Sequence, residues 1–186
     1  MQDRKRRTGL AIGGLVTALV VLAVGLYWFQ PWKLWQDDTV NDALPTAAAP
    51  APTSSPTTAA TAAPSAPAGP QTLAQGSLIS HEHATTGTVK LIRLPDGSRT
   101  LRLENLDTSN GPDLRVWLTD APVKEGKDGW DVFDDGKYVS LGKLKGNKGD
   151  QNYEIPADVN LADYTSVTIW CDRFNVSFGA AALQAA

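Results

Sequence analysis

Apolar and polar residues alternate with a period of two through most of the C-terminal part of this 186-residue chain. In "TLRLENL", Leu101 and Leu103 share one side and Arg102 takes the other. In "DLRVWLT", the apolar row of two leucines and a valine lies opposite Trp117. This alternation is typical of strands with one buried face. Further short β-prone runs are "TGTVKLI", "KYVSLGKL", "NYEIP", "TSVTIWC" and "FNVSFGAAAL".

Turn-forming clusters separate these runs, among them "LPDGSR", "DTSNGPD", "DDGK", "KGNKGD" and "IPADVN". No window of a dozen residues in this part shows helical periodicity. Short strands at this spacing predict an all-β domain at residues 71–186, built as an antiparallel β-sandwich, with a barrel as the alternative.

A different pattern occupies the N-terminus, where the run from Leu10 to Phe29 contains no charged residue. About 20 apolar residues that rise roughly 1.5 Å each span a hydrocarbon core of about 30 Å. The run lacks the polar stripe of a helix that packs on a soluble domain, so it predicts a transmembrane helix at residues 10–29 whose partner is the lipid bilayer. It continues into the aromatic cluster "YWFQPWKLW", which favours an uncleaved anchor over a signal peptide.

The charges on the two sides of this run predict its orientation. Residues 1–9 form a basic tail that contains "RKRR", whereas the juxtamembrane segment at residues 30–44 carries one lysine and three aspartates. The positive-inside rule therefore predicts a single-pass protein of the cell membrane with a cytoplasmic N-terminus and an extracytoplasmic C-terminal domain.

Residues 45–70 read "PTAAAPAPTSSPTTAATAAPSAPAGP" and contain no charge and no large apolar side chain. Such a segment cannot bury enough surface to offset its ordering entropy, so we expect a disordered Ala/Pro/Thr-rich linker. The chain as a whole has a net charge of −3 and no basic stripe, which excludes nucleic acid as an expected partner.

Cys171 is the only cysteine of the chain. The alternation places it with Val167 and Ile169, on the face opposite Trp170, at the end of an inward-facing row and just before a chain reversal or bulge. It is either a buried core residue or a redox thiol at a half-exposed strand end, where Arg173 would stabilise the thiolate. Without a second cysteine, a redox role requires a metal or haem, a sulfenic acid, or a mixed disulfide with a partner. A disulfide-linked dimer is a third reading.

Two histidines in "HEH" supply the remaining candidate ligands. His81 and His83 would share a face if this segment is extended, and together with Cys171 they form a ligand set that suits copper or zinc. Nothing in the sequence shows that the three residues meet. The cofactor therefore stays unknown, with copper and haem both open, although the motif for covalent haem attachment is absent.

No hydrolase or transferase motif is present. The chain shows no serine–histidine–aspartate pattern, nucleophile elbow or paired carboxylates, so we do not expect a classical enzyme.

Four segments carry a resemblance to a known family: "GSLISHEHATTGTVKLI", "GPDLRVWLT", "LGKLKGNKGDQNYEIP" and "YTSVTIWCDRFNVSFGAAAL". They resemble the DM13 domain, a family of extracytoplasmic β-rich modules, from about Gly76 to Leu183. The resemblance implies a redox or electron-transfer module that acts through its characteristic cysteine, here Cys171, together with an unknown redox partner.

Two functions therefore remain open. The first is a membrane-anchored redox module that uses Cys171. The second is a non-catalytic module that binds a cell-envelope partner or mediates adhesion, with Cys171 as a core residue, because a fold does not by itself select a function.

Overall fold

A computed structural model describes residues 2–45 and 69–186 of the chain. Most of the predicted linker at residues 45–70 lies outside the described residues. The described residues form the helix α1, a short 3₁₀ helix, and then eleven strands with two further 3₁₀ turns. The helices are α1 (Gln2–Phe29) and the 3₁₀ segments Pro31–Trp35, Lys127–Gly129 and Leu161–Asp163. The strands are β1 (Thr39–Asn41), β2 (Gln71–Ser77), β3 (Ile79–Ser80), β4 (Thr86–Arg93), β5 (Arg99–Asp107), β6 (Leu114–Thr119), β7 (Tyr138–Lys143), β8 (Lys148–Ile155), β9 (Ser166–Cys171), β10 (Val176–Ala182) and β11 (Gln184–Ala185).

The strands form two sheets, which confirms the predicted β-sandwich. One sheet has six strands in the order β1-β8-β5-β4-β2-β11, and the other has five in the order β3-β10-β9-β6-β7. Neighbouring strands are antiparallel except for β1, which pairs with β8 in parallel. The described strands do not close into a barrel.

The main core lies between the two sheets. It contains the apolar rows that the alternation predicted: Leu101 and Leu103 from β5 and Val116 from β6 are fully buried. Val167 and Ile169 of β9 join the same core. Burial of these rows supplies the main favourable term for folding, because it removes apolar surface from water.

A second, smaller core covers the outer face of the five-stranded sheet. Residues 120–137, between β6 and β7, place Phe133 against Trp117 and Trp170, and Phe133 and Trp170 are fully buried. As a result every residue of β9 is buried, on both faces of the sheet. Even the polar residues of its outer face, Ser166 and Thr168, are therefore buried.

The predicted transmembrane run is helical along its whole length. Residues Ile12–Phe29 form a helical stretch that is long and apolar enough to cross a membrane, and none of it is buried in the protein. In length and composition, it fits a membrane anchor or a signal sequence.

Part of the segment between this helix and the linker belongs to the sandwich. Residues Thr39–Asn41 form β1, the edge strand of the six-stranded sheet, although the alternation pattern gave no sign of a strand there.

Candidate functional site

Cys171 is the last residue of β9. It lies opposite Leu114 of β6 and Val176 of β10, and its side chain belongs to the core between the sheets. The chain reverses directly after it through residues 172–175, where the Phe174 N–H donates to the Cys171 carbonyl at 3.2 Å. Asn175 closes the turn with a φ of 50°, a left-handed conformation that asparagine tolerates well. The predicted chain reversal is therefore present.

The thiol of Cys171 is fully buried, not half exposed as a reactive strand-end thiol would be. Burial raises the pKa of Cys171 above its ordinary value of 9.0, because the apolar core disfavours the thiolate. The backbone amides of Phe174, Arg173 and Asp113 oppose this shift but do not reverse it. The thiol is therefore neutral at pH 7 and is not poised as a nucleophile.

Arg173 does not extend toward the thiol. Its guanidinium donates to the backbone carbonyl oxygens of Trp28 at 2.7 Å and Tyr27 at 3.2 Å, at the end of α1. It also lies 5.3 Å from the centre of the Trp28 ring, a cation–π distance. The arginine that the sequence suggested as a thiolate partner instead connects the loop after β9 to the helix.

His81 is held in a buried hydrogen-bond network on the outer side of the five-stranded sheet. Its Nε2 lies 3.0 Å from the carbonyl oxygen of Lys124, which can only accept, so Nε2 carries the proton. Nδ1 therefore accepts from the Ser177 hydroxyl at 2.7 Å, and Ser177 is in turn 2.8 Å from Thr168 Oγ1. Burial lowers the pKa of His81, so the ring is neutral. Ser177 is fully buried, which leaves this serine–histidine pair no access to a substrate.

His83 lies in the same loop but packs differently, with its ring centre 3.9 Å from that of Phe178. Both nitrogens of His81 are engaged by protein groups, and His81 contacts the outer core whereas Cys171 lies in the inner one. Within residues 2–45 and 69–186, no three histidine, cysteine, aspartate or glutamate side chains are grouped as metal ligands. The proposed ligand set of His81, His83 and Cys171 therefore gains no support from this geometry.

A row of stacked aromatic rings is the most distinctive feature of the five-stranded sheet. Tyr138 stacks on Trp117 with ring centres 4.1 Å apart and an interplanar angle of 10°, and Trp117 stacks on Trp170 at 5.0 Å and 27°. Phe133 meets Trp170 edge-on at 6.4 Å, and His81 stacks on Phe133 at 5.7 Å. The Trp170 indole is fully buried, whereas the Tyr138 phenol at the other end of the three stacked rings is 45% exposed.

Strand register explains this alignment. Trp117 on β6 lies opposite Thr168 on β9, while Trp170 lies opposite Arg115, so the two indoles sit diagonally on neighbouring strands. Side chains at such diagonal positions are within reach of each other when they are aromatic. The Trp117 indole N–H is buried and donates to no group in the part of the chain that the structure describes. Its contacts there are therefore those of packing and stacking.

The positions of Trp117 and Trp170 in the alternation pattern are a sequence signal for this row. The alternation placed Trp117 and Trp170 on the faces opposite their apolar rows, where polar residues are usual. Two tryptophans at such positions indicate a covered outer face. Only the pairing of β6 with β9, and of β6 with β7, brings the rings together.

One comparison with known proteins finds a match. The family model described as "Electron transfer DM13" matches residues 77–183, which is more than half of the chain. No curated protein and no solved structure matches the chain. The match covers β3 to β10 and leaves α1, β1 and most of β2 outside it.

The burial of Cys171 predicts slow modification by thiol reagents. We expect a maleimide to leave the native full-length chain in detergent unlabelled and to label it fully after denaturation. Cys171→Ser should lower the free energy of unfolding by about 1–3 kcal/mol, because it buries a hydroxyl in an apolar core. Cys171→Ala, which introduces no polar group, is the matched control and should cost less. Rapid labelling of the folded protein would contradict the buried thiol.

The neutral, buried His81 predicts a loss of stability on acidification. Because its pKa is lower in the folded state than the ordinary 6.5, its contribution is complete above pH 6.5 and is lost as the pH falls toward the folded-state value. Urea unfolding between pH 7 and pH 5 should therefore show a falling free energy of unfolding. His81→Gln should flatten this slope, whereas His83→Gln should retain it, because it leaves the His81 contacts intact. An unchanged slope in His81→Gln would show that other groups cause it.

Proposed function

The chain belongs to the DM13 family, and we propose that it is a membrane-anchored, extracytoplasmic module that transfers single electrons. The observation that carries this proposal is the aromatic row of Tyr138, Trp117 and Trp170 within a family described as electron transfer. Tryptophan and tyrosine are the side chains that lose one electron most readily apart from sulfur and selenium groups. Rings in van der Waals contact allow that electron to move in short steps.

The end of the row at Tyr138 is the contact point for a redox partner. Tyr138 lies on β7, the edge strand of its sheet, and is the most exposed ring of the row. Trp117 is 4% exposed and Trp170 is fully buried, so solvent cannot readily quench an oxidised ring there. An electron therefore enters or leaves the row at the tyrosine.

The chemistry of one transfer balances as follows. A one-electron oxidant, such as a high-potential metal centre of a partner protein that docks beside Tyr138, removes one electron from the adjacent Trp117 indole and is itself reduced. The resulting indole radical cation takes an electron from Tyr138, and the phenolic proton leaves to water. The indole is restored, and a neutral tyrosyl radical remains for reduction by the second partner.

Two of the three candidate ligands, His81 and Cys171, do not fit a resident copper or haem. Both ring nitrogens of His81 are occupied by Ser177 and Lys124, and Cys171 is a neutral thiol in an apolar core. We therefore derive no step through a metal or haem.

Cys171 enters the proposal as a second redox group. The radical cation of the neighbouring Trp170 would take one electron from the thiol and be restored, and a thiyl radical would form as the thiol proton leaves to solvent. This route avoids the thiolate, which burial disfavours, but it leaves the proton without a nearby acceptor in the core. We therefore assign the main path to the rings.

A second function has one observation in its favour. The complete burial of Cys171 fits a packing role, in which case the sandwich is a scaffold that binds a cell-envelope partner. The experiment on the row distinguishes the two functions.

Interruption of the row should slow intramolecular electron transfer. In pulse radiolysis of the full-length chain in detergent, with the exposed Trp28, Trp32 and Trp35 replaced by phenylalanine, azide radicals oxidise the remaining tryptophans, and the tyrosyl signal should then grow at a rate independent of protein concentration. Trp117→Phe should slow this growth, because phenylalanine keeps the packing but resists oxidation, and Tyr138→Phe should remove most of the tyrosyl signal.

The matched controls are Trp130→Phe and Tyr164→Phe, because neither ring belongs to the row. These two variants should behave like the parent chain. Equal kinetics in Trp117→Phe and Trp130→Phe would refute the path through the row and leave the scaffold as the better reading.

The proposed topology predicts how the chain responds to protease. In intact cells with an accessible outer face, added protease should remove a C-terminal epitope tag, while an N-terminal tag stays protected until lysis. Protection of both tags before lysis would show a cytoplasmic domain. Loss of the N-terminal tag from the mature protein, without added protease, would show that α1 is a signal sequence.

A further inference from the structure

Chain order decides which segment sets the distance between the helix and the sandwich. Strand β1 follows α1 after only residues 30–38, and residues 42–70 come later, between β1 and β2. Strands β1 and β2 belong to the same six-stranded sheet. If β1 stays in the sheet, residues 42–70 connect two strands of one sheet and cannot separate the domain from the helix.

Strand β1 is attached to β8 by main-chain bonds at both of its ends. The Lys148 N–H donates to the Asp38 carbonyl at 3.2 Å, and the Asp42 N–H donates to the Asp150 carbonyl at 2.9 Å. Between these bonds, Val40 lies opposite Gly149.

A buried asparagine forms hydrogen bonds with the two residues just before β1. Asn147 is 2% exposed, and its side-chain oxygen accepts from the Asp38 N–H at 2.7 Å. Its amide nitrogen donates to the carboxylate of Asp37 and to the carbonyl of Thr108, both at 2.8 Å. Two of these three hydrogen bonds exist only while the segment before β1 is in place. Its departure would leave buried polar atoms without partners, which lowers the free energy of unfolding.

Charged groups hold the other end of β1. The Lys145 ammonium lies 2.6 Å from the Asp42 carboxylate, which also accepts from the Asn152 N–H at 3.1 Å. Arg102, only 8% exposed, donates to the Asp42 carbonyl at 3.0 Å. The Lys145 and Asn152 contacts hold the pKa of Asp42 below its ordinary value, so the carboxylate stays charged.

Gly149 leaves room for this strand. Its φ of +91° favours glycine, and a Cβ atom at this position would overlap the carbonyl oxygen of Val40. The backbones of β1 and β8 thus approach each other closely at a position where other residues would force them apart.

The loop after Cys171 meets the end of the helix on the same side of the domain. The rings of Phe174 and Phe29 stack with centres 5.7 Å apart, and Arg173 binds the last carbonyls of α1. Phe174 is 40% exposed and Phe29 is 61% exposed, so their free surfaces form a continuous apolar patch. Trp28, Trp32 and Trp35 extend this patch along the chain, and all three are exposed.

We propose that the pairing of β1 with β8 holds the sandwich close to the bilayer, with the loop at residues 172–175 in contact with the lipid surface. This arrangement is called the clamp below. The lipid surface is the occupant because the patch continues the end of a helix that is apolar enough to span a membrane, and aromatic residues favour the membrane–water interface. The inference rests on the proposed membrane anchor but not on the electron path.

The segment between α1 and β1 is much shorter than the Ala/Pro/Thr-rich segment would be as a tether. An extended chain advances about 3.3 Å per residue and a 3₁₀ helix about 2 Å, so residues 30–36 span less than about 25 Å. A tether built from the Ala/Pro/Thr-rich segment would extend up to about 80 Å at roughly 3.1 Å per residue.

The clamp also orients the aromatic row. Cys171 and the loop after it lie at the membrane end of β9, whereas Tyr138 pairs with Thr119 at the opposite end, where Thr119 lies opposite Ser166. The exposed phenol thus faces away from the bilayer, toward partners that are soluble or belong to the cell envelope.

Insertions on either side of β1 test the clamp. A flexible Gly-Ser segment of about 20 residues, with a root-mean-square length of roughly 25 Å, is inserted after Gln36 in one variant and after Ser54 in the other. The full-length chain is reconstituted in phosphatidylcholine vesicles that contain an acceptor-labelled lipid. A donor dye is attached at Asp158→Cys, in the exposed loop after β8, in the Cys171→Ala background.

We expect the insertion after Gln36 to lower energy transfer to the lipid acceptor and the insertion after Ser54 to leave it unchanged. A fall with the insertion after Ser54, or unchanged transfer with the insertion after Gln36, would overturn the clamp. If the parent chain does not associate with vesicles at all, the proposed anchor fails instead, and the two failures are thereby distinguished.

A second measurement tests the contact between the loop and lipid. An environment-sensitive dye at Phe174→Cys, in the same Cys171→Ala background, should emit as in lipid in the parent chain and as in water after the insertion at Gln36. Emission as in water for the parent chain would remove the lipid contact from the proposal.

Two glycine variants test the β1 pairing without any insertion. Gly149→Ala should speed hydrogen exchange of the amides at residues 37–43, because its Cβ atom displaces Val40. Gly97→Ala is the matched control, since Gly97 also has a positive φ of +85° but a Cβ atom there meets nothing within 4 Å. Equal exchange in the two variants would show that β1 is not held through Gly149.

Discussion

The burial of β9 on both of its faces determines where the candidate chemistry of this protein lies. One face packs into the core between the sheets and contains Cys171, and the other packs under residues 120–137 and contains Trp170. Because side chains of a strand alternate, adjacent residues of one strand occupy two separate cores. Trp170 and Cys171 are consecutive residues, yet the indole lies in the aromatic outer core and the thiol lies in the apolar inner core.

The two environments favour different chemistry. The inner core is apolar, and it raises the pKa of the Cys171 thiol and removes it from solvent. The outer core leads through stacked rings to Tyr138, which reaches the surface at an edge strand. In the function proposed for this member of the DM13 family, electrons therefore move through the aromatic rings and not through a Cys171 thiolate.

The strand that follows α1 lies outside the family match. Strand β1 belongs to the six-stranded sheet, and its contacts involve a buried amide and a nearly buried guanidinium. Such groups require partners, so the sheet provides a specific place for the segment that follows the helix. In the proposed arrangement this segment, and not the Ala/Pro/Thr-rich one, sets the height of the domain above the lipid.

The sequence by itself determined the local features: the apolar helix, the period-two strands and with them the all-β class, and the faces on which Cys171 and Trp170 lie. These follow from periodicity, which each segment carries within itself. The tertiary structure decided that the described strands form two sheets and not a barrel. Only the tertiary structure decided that the outer face is covered, that Tyr138, Trp117 and Trp170 stack, and that His81 is engaged by Ser177. It also decided that residues 39–41 form a strand, because a three-residue strand is too short for a pattern and exists only through its pairing with β8. Such properties arise from contacts between segments that are distant in sequence, and no single segment encodes them.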